Sequence, residues 1–92
     1  MNIASYATLL HLLCRVTGYT PGTLTGFLAD VHIYENHLAQ VKEQLNREPL
    51  SLPTLKISDR VTKGFKLWEV EPSDLELIDY KSYDALPAPM AV

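Results

Sequence analysis

The sequence has a single cysteine, Cys14, among its 92 residues. One cysteine cannot form an internal disulfide, and this usage is typical of a protein of the reducing cytoplasm. Basic residues are also few: eight Lys and Arg stand against eleven Asp and Glu, which gives a net charge of −3. Without a basic block the chain has no electrostatic footprint for nucleic acid or for an anionic membrane surface. We therefore expect neither as a partner.

Long apolar runs and metal-ligand spacings are missing as well. The longest apolar run, residues 3–16, is too short to span a bilayer and is interrupted by His11 and Arg15. No positive charge precedes it and no small-residue cleavage site follows it, so a signal peptide is not expected. The His and Cys spacings match no zinc pattern, which predicts no metal ligand. A 47% hydrophobic content instead indicates a globular chain, a single domain over residues 1–92.

Hydrophobic periodicity predicts an α+β fold. Residues 3–17 are apolar nearly all round a helix, which is typical of a long buried helix, and Gly18 is a suitable C-cap. Residues 23–34 alternate as a strand, and residues 36–47 form an amphipathic helix with Asn36 as its N-cap. Short strands are predicted near residues 55–57 and 75–80. The expected architecture packs both helices on a mixed sheet of about three or four strands.

The predicted strand over 23–34 changes character along its length. One of its faces begins apolar at Leu24 and Leu28 and ends polar at Asp30, His32 and Tyr34. Side chains two apart on a strand stand roughly 6.5–7 Å apart at their bases, so His32 and Tyr34 could converge on a sugar hydroxyl or a carboxylate. The alternative is an ordinary half-exposed sheet face, and local sequence alone favours that alternative.

Two other residues have competing interpretations. Asn2, at the start of the first helix, presents a donor beside an acceptor, and this pair can match the edge of a pyrimidine ring. It is equally the residue type of a common helix N-cap, which local sequence favours. Cys14 lies in the apolar part of a helix, so we expect a structural thiol and no nucleophile.

Several segments, taken in order, resemble the C-terminal part of thymidylate synthases. The resemblance covers nearly the whole chain, and the segments that carry it are Asn2-Ile3-Ala4-Ser5-Tyr6-Ala7, Pro21-Gly22, Asp30-Val31-His32-Ile33-Tyr34-Glu35-Asn36-His37, Gln44-Leu45-Asn46-Arg47-Glu48-Pro49, Leu52-Pro53-Thr54-Leu55 and Ala88-Pro89-Met90-Ala91-Val92. Their order and spacing also match, which makes the resemblance specific.

The resemblance implies the reductive methylation of dUMP to dTMP, with 5,10-methylenetetrahydrofolate as the donor of both carbon and hydride. Asn2 matches the asparagine that selects uracil over cytosine, and His32 and Tyr34 match the pair that holds the deoxyribose 3′-hydroxyl. Met90 and Ala91 fall in the tail that closes over the folate. Met1 stands where the family usually has a folate-contacting phenylalanine.

The sequence also departs from the family pattern. It has no counterpart of the catalytic cysteine, of the phosphate-binding arginines, or of the folate-pocket aspartate and tryptophans. Residues 80–87 replace the family's aspartate-proline-histidine-proline segment and the lysine after it. We therefore predict no catalytic residue and no dUMP turnover by this chain alone.

Three interpretations follow from the resemblance. The first is a C-terminal portion of a thymidylate synthase that carries part of the dUMP site. The second is one half of a split enzyme that needs a complementary N-terminal chain. The third is a non-catalytic remnant used for binding or dimerisation, in which Leu24 and Leu28, or Phe27 and Val31, would form a homodimer face. A pyrimidine hydroxymethylase is a minor option, since a cytosine-directed enzyme would carry aspartate in place of Asn2.

Overall fold

The computed structural model describes residues 2–91, with Met1 and Val92 outside the described part. Two α-helices and two β-strands make up its regular structure, and they confirm the α+β class. The elements are α1 (Asn2–Thr17), α2 (Leu38–Asn46), β1 (Thr54–Ile57) and β2 (Leu75–Ile78), together with 3₁₀ turns at Glu35–His37, Leu67–Glu69 and Pro72–Asp74. No helix within residues 2–91 is long and apolar enough to cross a membrane.

The first helix ends as the sequence predicts. Gly18 has a φ of +80°, and the N–H of Tyr19 donates to the Cys14 carbonyl at 3.0 Å. This is the Schellman arrangement, in which a left-handed glycine lets the chain turn back and satisfy a free carbonyl of the last turn. The geometry explains why α1 stops at Thr17.

The burial of α1 differs from the prediction. Leu12 is its buried residue, whereas Ile3 and Tyr6 are about two-thirds exposed. The reason is that the core cluster around Ile57 and Val61 covers only one stripe of the helix. The other faces of α1 are also apolar in sequence, but no other element of the described residues packs against them.

The sheet is smaller than predicted. β1 and β2 pair antiparallel, with Leu55 opposite Leu77 and Ile57 opposite Leu75. The strand predicted over residues 23–34 does not form in the described structure, where this stretch has no regular secondary structure and the sheet has two strands. Alternation shows which side chains would share a face, but a strand also needs a neighbour's backbone N–H and C=O groups. This segment is paired with no strand of the described residues.

The turn after β1 is fixed by an ion pair. Nε and one terminal nitrogen of Arg60 each donate to Asp74 at 2.6 Å, and the N–H of Glu71 donates to the same carboxylate at 2.8 Å. Asp74 is only 4% exposed. The Arg60 hydrogen bonds, followed by that of the Glu71 N–H, hold the pKa of Asp74 below its usual range. Val61, the residue after Arg60, is fully buried in the core.

The chain forms two compact units. One comprises the described residues of Met1–Phe27 with Pro53–Tyr80, and the other comprises those of Leu28–Leu52 with Lys81–Val92. The first unit contains α1, both strands and the core described above. The second contains α2 and the tail, defined here as residues 81–91, which has no regular secondary structure. The prediction of one domain over residues 1–92 stays a prediction.

Candidate functional site

Two of the predicted ligand residues share an open groove in the second unit. His32 and Tyr34 line a groove of about 520 Å³, whose wall is completed by Ile33, Glu35, Asn36, Met90 and Ala91. The chain runs extended through Tyr34 (φ −65°, ψ 142°) and then turns sharply, because the His37 N–H donates to the Tyr34 carbonyl at 2.9 Å. The turn places the Tyr34 side chain beside the start of α2.

His32 and Tyr34 also line a second groove, of about 480 Å³, together with Asp30, Ile33, His37 and Val41. The Tyr34 and His37 rings are 5.2 Å apart with their planes tilted by 43°. The His32 Nδ1 atom is 3.7 Å from the Asp30 carboxylate, which is too long for a hydrogen bond. Asp30 is 96% exposed, so solvent screens its charge. The polar atoms of His32 are thus available to a ligand.

Met90 and Ala91, predicted as tail contacts, reach the same groove as His32 and Tyr34. The tail gets there along α2 and its flanking residues, and polar side chains of residues 36–47 donate to the tail's backbone carbonyls. Arg47 donates to the Asp84 carbonyl at 2.8 Å, and Gln40 donates to the Pro87 carbonyl at 3.1 Å. Asn36 donates to the Pro89 carbonyl at 3.1 Å, and Nε2 of His37 contacts the same oxygen at 2.5 Å.

The tail forms its hydrogen bond to α2 on the polar side of the helix, through Gln40. Leu38 and Leu45, on the stripe that the sequence marks as buried, are 53% and 79% exposed. The side chain of Arg47 is instead only 23% exposed, paired with Glu43 at 3.3 Å as its i,i+4 spacing predicts. The tail follows the polar side because side chains there can donate hydrogen bonds to main-chain carbonyl groups of the tail.

Asn36, His37 and Gln40 are the residues that the sequence interpretation missed. The N-cap prediction for Asn36 is wrong, since α2 has His37 at its N-cap position and no capping side-chain bond. A signal was present: positions 36, 40, 43 and 47 are all polar and lie at spacings of four, three and four, which is one helix face. The spacing of these polar residues does not reveal that tail carbonyls are their hydrogen-bond partners.

The remaining predicted residues lie in the first unit. Asn2 is the first residue of α1 and is exposed. Its role in base recognition stays a prediction, and Met1 lies outside the described residues. Cys14 is a free, half-buried thiol on α1. Among residues 2–91, no group of three or more His, Cys, Asp or Glu could hold a metal ion.

Comparison with known proteins shows which family the chain is related to. The sequence model of the thymidylate synthase family matches residues 1–92. The thymidylate synthase of Pseudomonas putida is 48% identical over 99 aligned positions, and that of Pseudomonas syringae pv. tomato is 46% identical over 99. The thymidylate synthase of Mycoplasma mobile is 44% identical over 91 positions. Each alignment covers 99% of this chain and 31% of the relative, so the chain spans about a third of the length of these proteins. A match over every residue, at this identity, shows that the chain belongs to the thymidylate synthase family.

Proposed function

We propose that this chain is a C-terminal portion of a thymidylate synthase that supplies part of the dUMP site. The observation that carries the proposal is the groove in which His32 and Tyr34 meet the tail residues Met90 and Ala91. An imidazole and a phenol each offer a hydrogen-bond donor or acceptor. In this role both hold the 3′-hydroxyl of the deoxyribose, so the groove orients the sugar.

Asn2 reads the base in this proposal. Uracil presents a ring N–H beside a carbonyl oxygen, and a side-chain amide can accept from the first and donate to the second. Cytosine presents an amino donor at the position of that carbonyl. A site whose polar groups are left unpaired by the wrong base discriminates strongly against it. Asn2 thereby favours dUMP over dCMP.

The tail residues fit the folate co-substrate in part. Ile33 and Met90 give the groove an apolar edge suited to a planar ring. Its one charged lining residue among those described is Glu35, which would repel a glutamate-bearing tail. When bound, 5,10-methylenetetrahydrofolate supplies the one-carbon unit and the hydride. Met90 and Ala91 therefore contribute one edge of its site, and residues 1–92 alone do not hold it tightly.

Residues 1–92 do not complete the reaction. Covalent catalysis on the pyrimidine needs an activated thiolate, and Cys14, a free and half-buried thiol on α1, is not assigned that role in this proposal. The isolated chain incubated with C5-tritiated dUMP and methylenetetrahydrofolate is expected to release no tritium above the buffer control. Release at a rate proportional to protein concentration would contradict this.

Nucleotide titration tests the binding role directly. The full chain is expected to bind dUMP weakly, and Tyr34→Phe should weaken that binding by about fivefold to tenfold, the equivalent of one hydrogen bond. Tyr19→Phe is the matched control, since Tyr19 is 77% exposed and does not line the groove. Asn2→Asp should shift the preference from dUMP towards dCMP. Equal affinity of wild type and Tyr34→Phe would overturn the assignment of Tyr34.

Assembly with another chain is a second role that one observation favours. Leu28 and Val31 are 72% and 69% exposed, and a partner would cover these apolar side chains. The partner would be a second copy of the chain or a complementary N-terminal chain. Sedimentation velocity over a concentration series separates a self-associating chain from one that stays monomeric until the complementary segment is added. A cytoplasmic location, like this assembly, stays a prediction.

A further inference from the structure

The end of the tail is attached to the turn before α2 through a single oxygen atom. The Pro89 carbonyl accepts from Nδ2 of Asn36 at 3.1 Å and contacts Nε2 of His37 at 2.5 Å. A carbonyl oxygen has two lone pairs, so both nitrogens can bond to it at once. Met90 and Ala91, the next two residues, line the groove that contains His32 and Tyr34.

Packing does not explain where Met90 lies. Its side chain is 79% exposed, so little apolar contact area holds it beside the groove. Its position must come from the backbone immediately before it, which is the residue whose carbonyl is bound. The two donors at Pro89 are therefore in a position to decide whether Met90 and Ala91 form part of the groove wall.

The protonation of His37 follows from its partner. A carbonyl oxygen can only accept, so Nε2 of His37 carries the hydrogen, in the neutral Nε2–H tautomer or in the imidazolium. The contact needs an N–H at this point in space and does not need a charge. A glutamine at this position offers a side-chain N–H at comparable reach, whereas a leucine offers none.

The rest of the tail has separate attachments. Tyr83 donates to the Glu48 carbonyl at 2.9 Å, and the Arg47 guanidinium lies 5.3 Å from the Tyr83 ring centroid. Gln40 holds the Pro87 carbonyl. Since these contacts keep residues 83–87 in place without Asn36 or His37, removing the two donors at Pro89 releases only the end of the tail.

We propose that Asn36 and His37 are positioning residues, which fix Met90 and Ala91 as one wall of the groove containing His32 and Tyr34. A ligand in that groove binds more tightly when Met90 and Ala91 are held in place as its wall. This last step rests on the proposed function, in which the ligand is dUMP, whereas the positioning itself does not.

The chain has only two methionines, which makes Met90 a clean reporter. The experiment is NMR of the full chain with ¹³C-labelled methionine methyl groups, in which Met90→Leu identifies the Met90 signal. In wild type the rings of His32 and Tyr34 should displace this signal from its position in the urea-unfolded chain. His37→Leu and Asn36→Asp should each move it back towards the unfolded position.

Two controls separate positioning from general damage. His37→Gln restores an N–H and should keep the wild-type Met90 signal, and Asn46→Asp, an exposed amide-to-acid change on α2, should leave it unmoved. Circular dichroism should be unchanged in all variants. A Met90 signal that is the same in wild type, His37→Leu and Asn36→Asp would overturn the proposal, as would His37→Gln behaving like His37→Leu.

Titration with dUMP distinguishes failure of this inference from failure of the proposed function. Weaker binding by His37→Leu and Asn36→Asp, alongside a displaced Met90 signal, supports both. If wild type binds no dUMP while the Met90 signal responds to the two variants, the dUMP role fails and the positioning stands. If the Met90 signal moves but dUMP affinity does not, the dependence of affinity on the wall is overturned.

Discussion

Replacing Val61 by alanine tests whether the small core of the first unit holds that unit together. Val61 is the one residue among those described whose large side chain is fully buried, at 0% exposure. Removing two methyl groups forfeits about 1.6 kcal/mol of transfer free energy at ~0.8 kcal/mol per carbon. A partly collapsed cavity adds about 1 kcal/mol more, so the free energy of unfolding should fall by about 2–3 kcal/mol.

This loss is large for such a chain. A protein of this length has a free energy of unfolding of about 5–14 kcal/mol, and within residues 2–91 only three hydrophobic residues are buried. Urea unfolding followed by circular dichroism at 222 nm measures the change, and it should appear in the midpoint with an unchanged slope. The melting temperature should fall by about 10–20 °C.

Val31→Ala is the matched control, because it deletes the same two methyl groups from a side chain that is 69% exposed. It should change stability by no more than about 0.5 kcal/mol. If Val61→Ala costs no more than Val31→Ala, then the cluster of Leu12, Ile57 and Val61 does not stabilise the fold, and the account of the core given above is wrong.

Two further predictions concern backbone strain and pH. Gly18→Ala should lower stability by about 1–2 kcal/mol, because φ is +80° there and the new Cβ would lie 3.1 Å from Lys63 Cδ. Gly22→Ala, with nothing within 4 Å of its Cβ, should be harmless in the same thermal melt. Acid should unfold the first unit: the pKa of Asp74 is lowered by Arg60, so its contribution is complete above about pH 4 and is lost as pH falls through the folded value. Asp74→Asn should flatten the dependence of the urea midpoint on pH below about 4, and a pH dependence equal to that of wild type would refute the link.

Elements specified by neighbouring residues could be predicted from the sequence. The extent of α1 and its end at Gly18 follow from local periodicity and from a glycine that can take a positive φ. The turn at Pro72–Asp74 and strand β2 likewise follow from local composition. The Glu43–Arg47 pair follows from its spacing.

Features that depend on distant partners could not be predicted in the same way. The alternation over residues 23–34 is real, but no strand of the described residues pairs with it. The contact between Asn36 and the Pro89 carbonyl joins residues 53 positions apart, and an acceptor of the main chain leaves no mark in the sequence. The same holds for Arg60 and Asp74, which read separately as ordinary loop charges.

The way the tail is held has a consequence for how its sequence can vary. Most of the hydrogen bonds that fix it run from side chains of residues 36–47, which comprise α2 and its flanking residues, to carbonyl oxygens at Asp84, Pro87 and Pro89, and every amino acid provides a carbonyl. Substitutions in the tail can therefore accumulate while its path is kept, provided that the donors on the helix stay. If residues 80–87 depart from the family pattern, as the sequence predicts, Met90 can still lie beside His32 and Tyr34. The path of the tail is therefore determined largely by the donor side chains of residues 36–47 and less by the identity of the tail residues.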